Sequence, residues 1–235
     1  MGISLLALRT HYNGGFVAVD AVPSMANADD WLVWHFTRIE YLAEIVAAGA
    51  LACDDDVAER SGSVADPGIK AERRRRMVSA VGYPEGRAVS AHVPWYIAAK
   101  SPMLYRVSKN HPPEVLDGLV FFGIRLGDIP GSGMEWVASN ANAASALSRF
   151  TTDLDSLGSF VDFELLKAQF WYNVPEDLAR ASRRAAEVLV HKRVPLSAMS
   201  VVAARNDSTL IKAREMLTSA GYSSFEYRNA TKITY

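Results

Sequence analysis

Residues 31–37 read Trp-Leu-Val-Trp-His-Phe-Thr, a short apolar run rich in aromatic side chains that is typical of a buried strand. Apolar residues then recur at the spacing of one helix face, at Ile39, Leu42, Ile45 and Val46. Gly49 follows them, and glycine is the residue type that most often ends a helix. A strand that leads directly into a capped helix predicts a domain in which helices pack on a β-sheet.

The rest of the chain divides into further strand-like and helical segments. We expect an extended segment over residues 89–98, a central strand over 119–124, and strands over 187–192, 200–204 and 225–227. Helices are predicted over residues 65–80, from Ser101 onward, over most of 163–186, and over 209–220. Residues 130–160 are rich in Gly, Ser, Asn and Thr, which predicts a long functional loop with one short helix near 141–149. The sum is one α+β domain over residues 31–235, preceded by an N-terminal extension at residues 1–30.

Composition excludes several classes of protein. With 235 residues and 49% hydrophobic content the chain can bury a core, and no apolar run approaches the roughly 18 residues that span a bilayer. We therefore expect a soluble protein with no membrane partner. The single cysteine, Cys53, excludes an internal disulfide and fits the reducing cytoplasm. The five histidines lack metal-ligand spacing and no phosphate-binding Walker A motif occurs, so we expect no metal and no P-loop chemistry.

The net charge of −1 conceals two oppositely charged segments. Residues 27–60 carry two basic and eight acidic side chains, whereas residues 70–106 carry eight basic and two acidic ones. The second segment predicts a basic face, and a non-catalytic nucleic-acid-binding protein is one function compatible with it. The net charge of −1 by itself gives no electrostatic argument for a nucleic-acid partner.

His35 lies between Trp34 and Phe36 and is followed by Thr37. A histidine at the edge of a core ordinarily satisfies its ring nitrogens with backbone groups. Alternatively, a ring donor and a hydroxyl at the end of a strand can hold the ribose of a nucleotide. The spacing leaves both interpretations open.

The helix predicted over residues 65–80 carries four consecutive arginines, Arg73 to Arg76. Its helical spacing rests on Ile69, Arg73, Met77 and Ala80. A charged run is most often a solvated face, but each residue turns about 100° around the axis, so at least one arginine should face inward. Arg74 lies three and four residues before Met77 and Val78, which predicts that it shares their side. A partly buried guanidinium requires an anion, such as a dinucleotide pyrophosphate or a carboxylate.

Glu187 begins the apolar strand predicted over residues 187–192. Burying a carboxylate is costly unless a partner compensates its charge. The partner is either Arg74 in a structural ion pair, or a substrate whose proton or sugar charge the carboxylate handles. Both interpretations remain open on the sequence pattern.

Five blocks of sequence occur together in an order and spacing that match a known family. They are Trp34-His35-Phe36-Thr37; Ile69-Lys70-Ala71-Glu72-Arg73-Arg74; Val93-Pro94-Trp95-Tyr96 with Ser101-Pro102-Met103-Leu104-Tyr105; Asn142-Ala143-Ala144 with Arg149-Phe150; and Ala186-Glu187-Val188-Leu189-Val190 with Pro195. From about Asp30 to Tyr235 the chain resembles the DarT family of DNA ADP-ribosyltransferase toxins. The blocks around Met103 and Glu187 are the most specific.

The resemblance implies an ADP-ribosyltransferase-like α+β fold with a split central sheet flanked by helices. It implies NAD as the ADP-ribose donor, transfer to a base in single-stranded DNA, and release of nicotinamide. Thymine is favoured as the acceptor, while guanine, RNA or protein remain alternatives. It further implies a toxin whose partner is a macrodomain antitoxin of the DarG kind.

The resemblance also assigns roles by position. Glu187 is expected to be the catalytic glutamate, which stabilises the positive charge on the ribose as nicotinamide leaves, and Arg74 the catalytic, NAD-contacting arginine. The other expected NAD-site residues are His35, Phe36, Thr37, Glu44, Ala52, Tyr96 and Met103, of which Tyr96 and Met103 fit a core equally well. The expected DNA contacts are Trp136, Asn140, Asn142 and Arg149, whose alternative is ordinary loop polarity.

Overall fold

The computed structural model describes residues 31–57 and 64–230, so the predicted extension at residues 1–30 lies outside the described residues. The strands are β1 (Leu32–Arg38), β2 (Ala50–Ala52), β3 (His92–Tyr96), β4 (Leu119–Arg125), β5 (Trp136–Ser139), β6 (Phe150–Thr151), β7 (Glu187–His191), β8 (Arg193–Pro195), β9 (Val201–Ala204) and β10 (Glu226–Asn229). The helices are α1 (Leu42–Ala48), α2 (Pro67–Arg75), α3 (Pro102–Asn110), α4 (Pro113–Asp117), α5 (Asp128–Gly131), α6 (Leu157–Phe160), α7 (Phe163–Lys167), α8 (Arg180–Arg184) and α9 (Asp207–Ser219).

A mostly antiparallel sheet forms the centre of the domain. Its strand order is β10-β9-β4-β1-β3-β7-β5-β6, and β2 and β8 form a small second sheet. Strand β1 pairs with β4 along seven residues and β3 pairs with β7 along five, but β1 and β3 meet through Trp34 and Tyr96. The sheet is therefore split into two halves that diverge on either side of one residue pair. This confirms the predicted α+β class with a split central sheet.

Local sequence signals explain the elements that border the split. Gly49 ends α1 with a left-handed φ of 67°, and the apolar face of α1 buries Leu42 and Ile45. The Ser101 hydroxyl accepts a hydrogen bond from the Leu104 amide at 3.2 Å and so caps α3. Strand β4 is buried from Leu119 to Ile124, as a central strand covered on both faces must be.

Three sequence predictions about secondary structure were wrong in extent or type. Helix α2 ends at Arg75, so the predicted helix over residues 65–80 is too long. Residues 141–149 form turns rather than a helix, and strands β5 and β6 flank them. The Asn142 side chain accepts a hydrogen bond from the Ala144 amide, and that local bond competes with helical hydrogen bonding. Residues 163–186 hold two short helices, α7 and α8, separated by non-helical chain.

Candidate active site at the split of the sheet

A pocket of about 650 Å³ opens where the two halves of the sheet diverge. Strand β1 lines it with His35, Phe36 and Thr37, and the other half-sheet contributes Tyr96 of β3 and Glu187 of β7. Residues of α1, β2, α2 and α3 complete the walls. Pockets of roughly 300–1,000 Å³ hold small molecules and cofactors, so this one has the size of a ligand site.

Glu187 begins β7 at the floor of the pocket and is 2% exposed. Its Oε2 lies 3.0 Å from Nη1 of Arg73, and its Oε1 accepts a hydrogen bond from the Ala143 amide at 3.0 Å. The Ser139 hydroxyl accepts a hydrogen bond from the Glu187 amide at 3.3 Å across the β5–β7 pair. Donors from α2 and from the turn after β5 therefore fix both carboxylate oxygens.

Arg73 is the buried cation of the site, with 6% of its surface exposed. Burial is the largest effect on the pKa of its guanidinium and lowers it, but the charge and hydrogen bond of Glu187 together with Tyr96 and Asp54 give a net rise. The Nε and Nη2 atoms of Arg73 are buried and have no hydrogen-bond partner among the described residues. Leaving a buried donor unpaired costs about 1–3 kcal/mol, more when it is charged.

The inward-facing arginine is Arg73, and the prediction that Arg74 faces inward was wrong. Arg74 is exposed and does not line the pocket. The prediction placed Arg74 on the side of Met77 and Val78 by helical spacing, but the helix stops at Arg75 and Arg76 is extended, with φ −79° and ψ 121°. The signal that identifies Arg73 is its position four residues after Ile69, which also lines the pocket.

His35 presents an acceptor to the pocket rather than the predicted ring donor. Its Nδ1 lies 2.9 Å from the Pro94 carbonyl oxygen, and since a carbonyl can only accept, Nδ1 carries the hydrogen. Burial lowers the pKa of the ring, against the opposing effect of the Pro94 hydrogen bond, so the ring is neutral at pH 7. Nε2 is then left with a lone pair, which suits a hydroxyl or amide donor on a ligand.

Aromatic and apolar side chains form the wall beside Glu187. Phe36 stacks on Tyr96, with ring centroids 5.6 Å apart and planes inclined by 22°. Burial, reinforced by the negative charge of Glu187, raises the pKa of Tyr96, so its phenol stays protonated. Met103 in the first turn of α3 lines the same pocket, as do Glu44 and Ala52 on the opposite side. All the predicted NAD-site residues except Arg74 therefore border one cavity; the role of each remains a prediction.

The four residues predicted to contact DNA lie in different environments in the structure. Asn142 lines the pocket, but Trp136 is 8% exposed and packs in the hydrophobic core, so its predicted stacking role was wrong. The Asn140 side chain accepts a hydrogen bond from the Arg149 amide at 2.8 Å, and neither residue lines the pocket. The Arg149 guanidinium lies over the ring of Phe160 at 5.7 Å. DNA contact by Asn140, Asn142 and Arg149 remains a prediction.

Sequence reasoning missed the groups that hold Glu187 in place. The Ala143 amide and the Ser139 hydroxyl both contact Glu187; Ser139 lies outside the five sequence blocks, and the block that contains Ala143 assigns it no role. Within residues 31–57 and 64–230 no cluster of three or more His, Cys, Asp or Glu side chains has a metal-binding arrangement. Across the same residues no helix has the length and apolar character needed to cross a bilayer.

Comparison with known proteins identifies relatives along most of the chain. Residues 34–235 match the family model described as "ssDNA thymidine ADP-ribosyltransferase, DarT". A "DNA ADP-ribosyl transferase" of Mycobacterium tuberculosis H37Rv is 41% identical over 210 residues, which are 88% of this chain and 90% of the relative.

Two solved structures of Thermus sp. 2.9 DarT share the fold. The complex with ADP-ribosylated ssDNA has a TM-score of 0.78 at 20% identity and covers 88% of this chain and 97% of its own. The complex with NAD+ has a TM-score of 0.75 at 19% identity and covers 88% of this chain and 98% of its own.

Proposed function

This chain belongs to the DarT family of DNA ADP-ribosyltransferases, and we propose on that basis that it transfers ADP-ribose from NAD to a thymine base in single-stranded DNA. The observation that carries the proposal is the buried pair of Arg73 and Glu187 at the floor of the pocket, with an oxygen–nitrogen distance of 3.0 Å. Two further Arg73 donors, Nε and Nη2, are buried and have no partner among the described residues. A buried, charged pair that borders a cavity is typical of a functional site.

The pocket residues fit the chemical groups of NAD. The unused Arg73 donors suit phosphate or ribose oxygens, since a guanidinium binds oxygen acceptors with several parallel N–H groups. The neutral His35 ring offers Nε2 as an acceptor for a hydroxyl or amide hydrogen. Phe36 and Tyr96 provide an aromatic wall against which a flat ring can pack.

Glu187 is the residue we propose to act on the sugar. When bound, NAD supplies a C1′–nitrogen bond whose cleavage releases nicotinamide together with the bonding electron pair. The Glu187 carboxylate accepts a hydrogen bond from a ribose hydroxyl and stabilises the positive charge that develops on the sugar. Its two fixed donors, Arg73 and the Ala143 amide, hold it in that orientation without movement during the reaction.

The acceptor nitrogen of thymine must lose its proton as it forms the new bond to C1′. Arg73 is a poor candidate for that proton because its pKa is raised and its guanidinium stays charged. We therefore assign proton acceptance to Glu187, whose side-chain oxygens lie in the same pocket. Arg73 then contributes positive charge near the phosphate or the base carbonyl oxygen.

The decisive experiment offers the protein NAD together with single-stranded oligonucleotides. Mass spectrometry should detect an adduct of one ADP-ribose on oligonucleotides that contain thymine, together with free nicotinamide. Glu187→Gln should abolish both products, while Arg74→Gln serves as a matched control that changes an exposed charge and retains them. An adduct on oligonucleotides lacking thymine, or only on RNA or protein, would reassign the acceptor; no adduct on any of these would refute transfer.

We further propose that the protein is the toxin of a toxin–antitoxin pair whose antitoxin is a macrodomain protein of the DarG kind. Membership of the DarT family supports this proposal. Expression in bacteria should arrest growth, Glu187→Gln should relieve the arrest, and co-expression of the macrodomain protein should remove the DNA adduct. Growth arrest that persists in Glu187→Gln would separate toxicity from the transferase activity.

A further inference from the structure

An aromatic cluster lies beside the pocket on the chain that leads to Glu187. It consists of Tyr105 on α3 and three consecutive aromatic residues, Phe170, Trp171 and Tyr172, between α7 and α8. The rings of Tyr105 and Trp171 meet edge to face with centroids 5.4 Å apart, and those of Phe170 and Tyr172 do so at 6.1 Å. Helix α3 also lines the pocket through Pro102, Met103 and Arg106, so Tyr105 connects the cluster to an element of the pocket wall.

Two rings of the cluster are unusually exposed. Phe170 is 64% exposed, and the neighbouring Tyr172 is exposed as well. Hydrogen bonds fix the backbone segment that carries these two rings. Arg180 donates to the Phe170 carbonyl at 2.9 Å, and the Asn173 side chain accepts from the Ala181 amide at 2.9 Å. Large apolar side chains fixed outward next to a site mark a surface that receives a partner.

The charges around the rings favour a nucleic acid as that partner. The Lys109 ammonium lies 5.3 Å from the centre of the Tyr105 ring, and the Arg180 guanidinium donates to the backbone carbonyl of Phe170. Aromatic side chains interleaved with cations are the general solution for single strands, because bases stack on the rings while the cations follow the phosphates. A purely apolar protein contact would not require a cation on the Tyr105 ring and a second one along the backbone of the same segment.

We propose that the aromatic cluster stacks bases of the single-stranded DNA that flank the modified thymine. This inference rests on the proposed function and extends it to nucleotides outside the pocket. Because every base has a flat face, such a platform adds affinity with little sequence preference. The pocket then determines which base is accepted, while the cluster determines how many neighbouring nucleotides contribute to binding affinity.

The test compares DNA binding by the wild type and by the Phe170→Ala/Tyr172→Ala double variant in the absence of NAD, using fluorescence anisotropy. For a thymine-containing oligonucleotide of about twelve nucleotides, the double variant should bind at least about tenfold more weakly, as expected for the loss of base stacking. For one of about four nucleotides, the two proteins should bind alike. The ratio of their dissociation constants should persist at raised salt, because stacking does not release counterions.

Control variants separate ring stacking from general effects. Leu178→Ala removes another exposed apolar side chain from the same segment and should bind like the wild type, as should Tyr172→Phe, which keeps its ring. Thermal unfolding should be unchanged in all of them, since the side chains are mostly exposed. Equal affinity of the double variant and the wild type for the longer oligonucleotide overturns the inference, as does an equal loss for both lengths. If the wild type neither binds nor modifies single-stranded DNA, the proposed function itself fails.

Discussion

Replacing Arg73 and replacing Arg74 should have very different consequences, although both changes remove one positive charge from α2. The side chains of Arg73 and Glu187 are 7% and 3% exposed and 3.0 Å apart, so Arg73→Met leaves a buried carboxylate without its cation. Breaking a buried ion pair in this way costs roughly 3–5 kcal/mol. Arg74 is exposed, and substitutions at exposed positions usually change stability by less than about 0.5 kcal/mol.

These free energies convert into a thermal shift that is easy to measure. For a domain of roughly 150–250 residues, each 1 kcal/mol lowers the melting temperature by about 2–4 °C, so Arg73→Met should melt roughly 6–20 °C below the wild type. Arg74→Met should melt within about 2 °C of it. Nicotinamide release from NAD, measured below both melting temperatures, should be lost in Arg73→Met and kept in Arg74→Met.

Two results would refute this reasoning: the two variants behave alike, or Arg74→Met rather than Arg73→Met shows the losses. If both variants melt alike and both keep nicotinamide release, the buried ion pair does not organise the site. If Arg74→Met alone loses nicotinamide release, the arginine predicted from the family resemblance acts in catalysis from the exposed face.

Three further perturbations test other parts of the structure. Burial lowers the pKa of His92 to about 4 from 6.5, so the unfolded chain binds the extra proton as the pH falls. Wild-type unfolding free energy should therefore drop by about 2 kcal/mol between pH 8 and pH 5, and urea titrations of His92→Gln should show a flatter decline. Ser139→Ala removes the buried hydroxyl that accepts from the Glu187 amide and should cost about 0.5–1.5 kcal/mol in the same assay, with lower kcat for nicotinamide release. Trp136→Ala empties a core position and should cost about 3–5 kcal/mol, against less than about 0.5 for the exposed Arg149→Ala.

Regular apolar runs made much of the fold predictable. The β1 run, the α1 spacing with its glycine, and the Ser101 cap each depend on neighbours in sequence, and all three appear in the structure close to their predicted bounds. Strand β5 was missed because its four residues are surrounded by Gly, Ser and Asn, whose local signal favours a loop. Its place in the sheet comes from pairing with β7, which lies about fifty residues further along the chain.

The position of a site residue was predictable where a segment holds a single residue of its type, and less so where several identical neighbours compete. Glu187 is the single carboxylate in its apolar strand, and the structure places it in the pocket as expected. Four adjacent arginines differ only in their angle around α2, and that angle depends on where the helix ends. The Ala143 amide has no side-chain signal at all, because its contribution comes from backbone geometry.

The split of the sheet gives the two half-sheets different freedom to change over evolutionary time. His35, Phe36 and Thr37, the residues we assign to the donor, lie on one half, while Glu187, Asn142 and the aromatic cluster lie on or beside the other. A mutation in the turns after β5 leaves strand β1 unchanged, but it can displace the Ala143 amide and with it the Glu187 side chain. Trp34 and Tyr96, the pair that joins the halves, are then the positions least tolerant of such drift.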